Sequence, residues 1–220
     1  MASAPADAPA PMPPHRTAFS IRSPRLQARC WSPDDASDFR ALLDRNDSHL
    51  RPFIPWMRDE PMPLAATRER LHGYRERFLA GLDYRYALFD AGGHLVGELM
   101  LSTRSGPGSR EVGYLLDRAV TGRGFATEAA AMALRVAFEI DRVGRVLLIC
   151  SPENAASVRV AEKLGFVLDH VREAEYTDSE GLVRDSLFWV LPADRYRHSP
   201  AATLAVRAFD QAGASLPWLR

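Results

Sequence analysis

Two glycines, Gly122 and Gly124, stand between an apolar run with strand-like alternation and an alanine-rich run with helical spacing. A glycine turn that leads into a helix leaves the first amides of that helix without intrahelical acceptors. The helix dipole adds partial positive charge there and favours an anion by about 0.3–1 kcal/mol. A phosphate suits such a turn. A tight turn with no ligand gives the same pattern, so the motif alone leaves both readings open. Two phosphate loops are excluded. A P-loop carries Lys and Ser/Thr after its last glycine, whereas Phe125 and Ala126 follow here. A dinucleotide fingerprint needs Gly or Ala three residues beyond Gly124, where Thr127 stands, and it needs a βαβ start.

The elements around the turn are legible from periodicity. Residues 25–31 alternate Leu26, Ala28 and Cys30 against Arg25, Gln27 and Arg29, which predicts a strand with one wet face. Ser32-Pro33-Asp34-Asp35 has the cap, first-turn proline and acidic residues of a helix start, so a helix is expected over 33–44. Two prolines break 49–57 into a packed connection, and a second helix is expected over 64–79. Runs 84–89 and 95–102 flank the turn Ala91-Gly92-Gly93-His94 and read as a hairpin. Run 110–116 adds a third strand. Phe125, Ala129, Met132, Val136 and Ile140 predict one helix lying on the sheet. The continuous apolar run 145–150 predicts a strand covered on both faces. Asn154 is placed to cap a short helix that Gly165 ends. A last hairpin surrounds Asp178–Gly181. The predicted fold is α+β, a mixed and mostly antiparallel sheet flanked by helices in the order β-α-α-β-β-β-α-β-α-β-β. Residues 1–20 are expected to be a disordered Ala/Pro-rich tail and 21–197 a single domain. Residues 198–220 are an extension, with a short helix expected over 199–210 from Ser199, Pro200 and the spacing of Ala201, Leu204, Ala205 and Ala208.

Taken together, "EVGYLLDRAVTGRGFATEAA", "SPENAASVRVAEKLGF", "SPRLQARCWSPDDASDFRALL" and "HLRPFIPWM" resemble the GNAT N-acetyltransferases, and within them the RimJ/RimL-type branch. The resemblance covers Ser23 to Tyr196. It implies acetyl-CoA as the acetyl donor. It further implies that the main chain from Thr121 through Gly122, Arg123, Gly124, Phe125 and Ala126 to Thr127 binds the diphosphate. Thr121 departs from the superfamily's Gln/Arg at that position, which removes a side-chain contact but not the amides. Tyr114, Leu115 and Leu116 would pair their backbone with the pantetheine amides, and Asn154 and Ser157 would lie against the cofactor. Glu111 matches a strand glutamate that serves as general base, with Glu98 as a rival; a solvated strand glutamate remains the plain alternative for both. Ser157 matches a serine near the coenzyme sulfur. No tyrosine stands just before "LGF", and Tyr176 is a distant candidate for protonating the thiolate.

The rest of the chain sets bounds. It has 220 residues, 46% hydrophobic and 25% charged, with a formal net charge of zero. That balance argues against nucleic acid or an anionic membrane as a partner. Lys163 is the only lysine. Cys30 and Cys150 lie in strand-like runs and are expected as reduced thiols rather than a disulfide, no metal site is expected, and the location is expected to be cytoplasmic. The two predicted helices, with His49, Phe53 and Trp56 between them, are expected to wall the acceptor cleft, with core packing the favoured reading for Phe53 and Trp56 themselves and a surface or packing role for His49. Three functions stay open at this level: acetylation of a protein N-terminal α-amine, acetylation of a small amine such as an antibiotic or polyamine, and a silent acyl-CoA-binding regulatory module. The chain is expected as a monomer or homodimer.

Overall fold

The computed structural model describes residues 17–218. Residues 1–16 of the expected tail lie outside the described residues. Residues 17–20 do not belong to a tail. Ala18 is fully buried, and Phe19 donates its N–H to Phe209 O at 2.8 Å.

In chain order the strands are β1 (Ser20–Arg22), β2 (Leu26–Cys30), β3 (Asp83–Asp90), β4 (Leu95–Ser102), β5 (Ser109–Leu116), β6 (Arg145–Cys150), β7 (Val167–Thr177), β8 (Val183–Pro192) and β9 (Arg207–Phe209). They form one sheet in the order β7-β8-β6-β5-β4-β3-β2-β1-β9. Every neighbouring pair is antiparallel except β5–β6. The predicted mixed sheet is therefore present, with one more strand at each end of the chain. The helix expected over 199–210 is a correction. Ser199 does cap a turn at Pro200–Thr203, but 207–209 then pair with β1 as an edge strand. Alanine spacing at period 3.6 lost to an open strand edge that needed hydrogen bonds.

Of the helices, α1 (Ala36–Arg45) and α3 (Leu64–Leu79) cover one face of the sheet, and the four-residue α2 (Asp47–Leu50) lies between them. Their core holds Trp31, Phe39, Leu42, Leu43, Leu71, Ala87 and Leu115. On the other face, α4 (Phe125–Arg135) and α5 (Ala155–Lys163) pack over Tyr86, Leu99, Leu101, Val112, Val146 and Leu148. The predicted helix 125–140 stops being α-helical at Arg135 and widens into a π-type turn over Val136–Ile140. Gly165 takes φ +81° after α5, as its cap position requires. A one-turn α6 (Ala193–Tyr196) follows β8.

The site depends on one irregularity. The parallel ladder pairs Ser109 with Arg145 and ends at Val112 with Leu148. Beyond it, Gly113–Leu116 and Ile149–Cys150 have no partner across that seam, so the two strands part. Strand β6 is also not covered on both faces as predicted. Val146 and Leu148 are buried under the α4 face, whereas Leu147 and Ile149 are half-buried and line a cleft.

Candidate functional site

Parting the strands opens two clefts. The first, ≈ 390 Å³, lies between β5 and β6 on the α4–α5 side. Tyr114, Thr121, Ala126, Asn154 and Ser157 line it, with His49 and Phe53 at its outer wall. The second, ≈ 750 Å³, lies on the opposite face of the sheet and is lined by Arg104, Glu111, Leu147, Tyr176 and Phe188. The clefts meet at Phe53, Ile149, Cys150 and Ser151. A ligand filling the first therefore touches one filling the second at the end of β6.

The glycine turn sits at the mouth of the first cleft. Gly122 has φ +75° and Gly124 φ +79°, a region that costs other residues about 1–2 kcal/mol. A Cβ at Gly122 would meet nothing within 4 Å, so conformation rather than crowding by the protein demands the glycine. The amides from Gly122 to Thr127 donate no hydrogen bond to the described part of the chain. Thr121 spends its hydroxyl on Arg118 O at 2.8 Å. Arg123 lays its guanidinium over the Phe125 ring, 5.2 Å from its centroid.

Long-range contacts that no local pattern reveals hold this turn. Glu128, in the first turn of α4, is 7% exposed. It accepts from Ser23 Oγ at 2.7 Å, Arg25 N at 3.1 Å and Arg25 Nε at 2.5 Å. Arg25 also donates to Arg123 O at 2.8 Å, which fixes the back of the loop. On the other side Asp117 accepts from Ala119 N at 3.0 Å and pairs with Arg45 at 2.6 Å, while Asn46 Oδ1 accepts from Arg118 N at 2.8 Å. Burial alone would raise the Asp117 pKa, but the Ala119 amide and Arg45 outweigh it and hold the carboxyl below its usual range.

Asn154 caps α5, accepting from Ser157 N at 3.1 Å, as its spacing predicted. The Tyr114 hydroxyl donates to Ser157 Oγ at 3.4 Å, and burial pushes the phenol's pKa upward, so it stays a donor. Cys150, free and half-buried, has its thiol pushed up to about 11 by burial.

The two candidate glutamates separate. Glu98 is 4% exposed under α1 and α3, where it accepts from Trp31 Nε1 at 3.0 Å and Arg85 Nη1 at 2.7 Å. It reaches neither cleft. Glu111 lines the second cleft, but Arg104 holds both its oxygens, Nε at 2.7 Å and Nη2 closer still. Both Glu111 oxygens are thus engaged by one guanidinium, a fork-to-fork geometry that fixes the carboxylate in place. The expected acceptor wall also changes. Trp56 packs half-buried against the core beside Arg70, as its packing reading expected, and the helices α1 and α3 stay behind it; the segment from His49 to Pro55 lines the clefts instead. Burial, then Arg118, lowers the His49 pKa. Tyr176 reaches the second cleft, near Ser151. Among the described residues no group of side chains could hold a metal ion, and no helix is long and apolar enough to cross a membrane.

Residues 25–167 match the family model of an acetyltransferase (GNAT) domain. The chain belongs to the GNAT acetyltransferase family. This GNAT chain is 30% identical over 149 residues to the probable N-acetyltransferase YjcK of Bacillus subtilis (strain 168), covering 66% of this chain and 82% of that protein. Its fold is similar to that of RimJ from Mycobacterium smegmatis, solved in complex with CoA-disulfide. The TM-score there is 0.73 at 24% identity, over 86% of this chain and 92% of the other. The ribosomal-protein-S5-alanine acetyltransferase of Vibrio fischeri gives a TM-score of 0.71 at 23% identity, over 80% and 98%. The GNAT chain is thus an N-acetyltransferase, and acetyl-CoA is its co-substrate.

Proposed function

We propose that this acetyltransferase acts on the α-amine of a protein N-terminus. The observation that carries the reading is the meeting of two clefts at the end of β6, the second of them ≈ 750 Å³ and open along the sheet face. That is room for an extended N-terminal segment over an apolar floor of Leu147, Ile149 and Phe188. The residues of the first cleft suit acetyl-CoA. The unpaired amides of 122–127 suit its diphosphate, and the partnerless edge Gly113–Leu116 suits the amides of its pantetheine arm as an added strand would.

Acetyl-CoA supplies an acetyl thioester, which the acceptor amine attacks with release of a thiolate. Ser157 is placed to hydrogen-bond the leaving sulfur. Tyr114 lies 3.4 Å from its oxygen and can donate to it, which leaves the Ser157 proton free to meet the sulfur. A thiolate of a thiol with pKa near ~8.5 does not strip a serine of its proton, so the serine stabilises it rather than protonating it. Glu111 and Arg104 form a neutral pair at the wall of the acceptor cleft. Acceptor choice follows from proton availability. An α-amine titrates near ~7.7–8.0 and a lysine near ~10.4, a difference worth about 3.4 kcal/mol at neutral pH. A site whose cleft glutamate is already paired favours the amine that needs less help.

The test is thiol release from acetyl-CoA with a panel of acceptors. Peptides with free N-termini are expected to release thiol, and N-blocked peptides that carry lysine are not. Turnover with polyamines or aminoglycosides alone would move the reading to small amines. Tight CoA binding with no turnover at all would leave a silent acyl-CoA-binding module.

A further inference from the structure

Ser151 lies one residue beyond β6, where the two clefts meet, and only 6% of it is exposed. Its hydroxyl donates to Glu153 Oε2 in a short contact, and its oxygen accepts from Glu153 N at 3.2 Å. Glu153 lines the first cleft, yet its side chain is 56% exposed, so the carboxylate joins the meeting point to bulk water. A third element is turned toward this pair. Strand β7 bulges between Arg172 and Tyr176, which pair with Ser186 and Arg184, so four steps on β7 match two on β8. The bulge carries Ala174 at φ +50° and ties its N–H to Asp185 Oδ1 at 2.9 Å. Its effect is to put Tyr176, rather than Ala174, opposite Arg184 and into the second cleft. Bulges beside active sites commonly re-aim a side chain in this way.

We propose that Ser151 and Glu153 are the proton exit of the acetyl transfer, with Tyr176 bounding Ser151 from the acceptor side. The proposal rests on the amine acetylation set out above. As the acceptor nitrogen bonds to the acetyl carbon, the carbon–sulfur bond breaks and its electron pair leaves on sulfur. The excess proton on nitrogen passes to Ser151 Oγ, the Ser151 proton passes to Glu153, and Glu153 gives it to water. Ser151 is then the group that touches the reacting nitrogen, and Glu153 acts through it.

The charges around the pair fit this role. Arg184 lies 3.5 Å from Glu153 Oε1, and Asp178, itself 2.8 Å from Arg184, faces the same group. The Ser151 hydroxyl, then the backbone and Arg184, hold the Glu153 carboxyl below the usual carboxylate range, so it is ionised at neutral pH. A weak base suffices, because a nitrogen already bonded to the acetyl carbon is far more acidic than a free ammonium. Burial, ahead of any other influence, raises the Tyr176 pKa, which keeps that phenol protonated. The competing carboxylate, Glu111, has both oxygens on Arg104.

The experiment is the pH profile of kcat for E153Q, S151A and E111Q with an N-terminal peptide acceptor. For E153Q and S151A, kcat is expected to fall at least about tenfold near pH ~7 and to climb back toward wild type near pH ~9, where hydroxide takes the proton from the bonded nitrogen directly. KM for acetyl-CoA is expected to stay at the wild-type value. A wild-type rate in E153Q near pH ~7, a loss that does not change with pH, or the pH-dependent loss appearing in E111Q alone would each overturn the proposal. If the acetylation reading itself is wrong, wild-type protein gives no acceptor-dependent thiol release, which is a different result.

Discussion

Ser157 and Tyr114 illustrate how much a single hydrogen bond decides. With Tyr114 able to donate to its oxygen, Ser157 keeps its own proton for another partner. A hydrogen bond to a charged group is worth about 1.5–3 kcal/mol, so Ser157→Ala is expected to lower kcat by roughly ten- to a hundredfold. KM for acetyl-CoA is expected to move little, because on the proposed reading the serine would meet the sulfur only as charge develops there. Steady-state kinetics with a peptide acceptor checks both. At this scale the sequence was informative where chemistry is local. Asn154 and Ser157 are three residues apart, and their spacing already stated the cap. It could not rank Glu98 against Glu111. Both point to the same face of the sheet, opposite Leu115 and Ser102 respectively, and only the placement of α1 and α3 seals one and leaves the other in a cleft. Arg25 and Glu128 stand 103 residues apart and left no trace in the pattern.

At the scale of the element, the glycine turn is set by conformation and braced from two sides. Gly124→Ala is expected to cost about 1–2 kcal/mol for an alanine at positive φ. The same change is expected to weaken CoA binding at least about tenfold, since each 1.4 kcal/mol of displaced loop is a factor of ten. Calorimetric titration with CoA, alongside thermal unfolding, separates the two effects. The front brace carries a pH signature. The Asp117 carboxyl is held below its usual range in the folded chain, so its contribution is fully present above the unfolded pKa of about 3.9. It is lost as pH falls through the lower folded value. Unfolding temperature is therefore expected to drop on acidification below about pH 4, and less steeply in Asp117→Asn than in wild type. The elements were mostly legible in the chain because alternation and helical spacing are local signals. Strands of three residues carry too little alternation to show, which is why β1 and β9 were missed and Ala201, Leu204, Ala205 and Ala208 read as helix. The π-type turn after Arg135 likewise preserves the apolar spacing that predicted an unbroken helix.

At the scale of the molecule, the sheet consists of two blocks. β9, β1 and β2 to β5 form one, and β6 to β8 the other. Within the sheet, what joins them is the short parallel ladder that ends at Val112 and Leu148. A co-substrate that pairs with Gly113–Leu116 would serve as the missing rung between the blocks, so its effect is expected to be felt well away from its own contacts. At a hundredfold excess over Kd it is expected to stabilise the fold by about 2.7 kcal/mol. Amide exchange is expected to slow in β6 and β8 as well as in β5. Slowing confined to residues 113–127 would show that the blocks are already rigidly joined. Order of addition also follows. An acceptor that arrives first meets a cleft open at the parted seam beside Ile149, whereas one that arrives second would meet a finished wall. The parted seam thus favours a fixed sequence of binding, nucleotide end first, without any moving lid to enforce it.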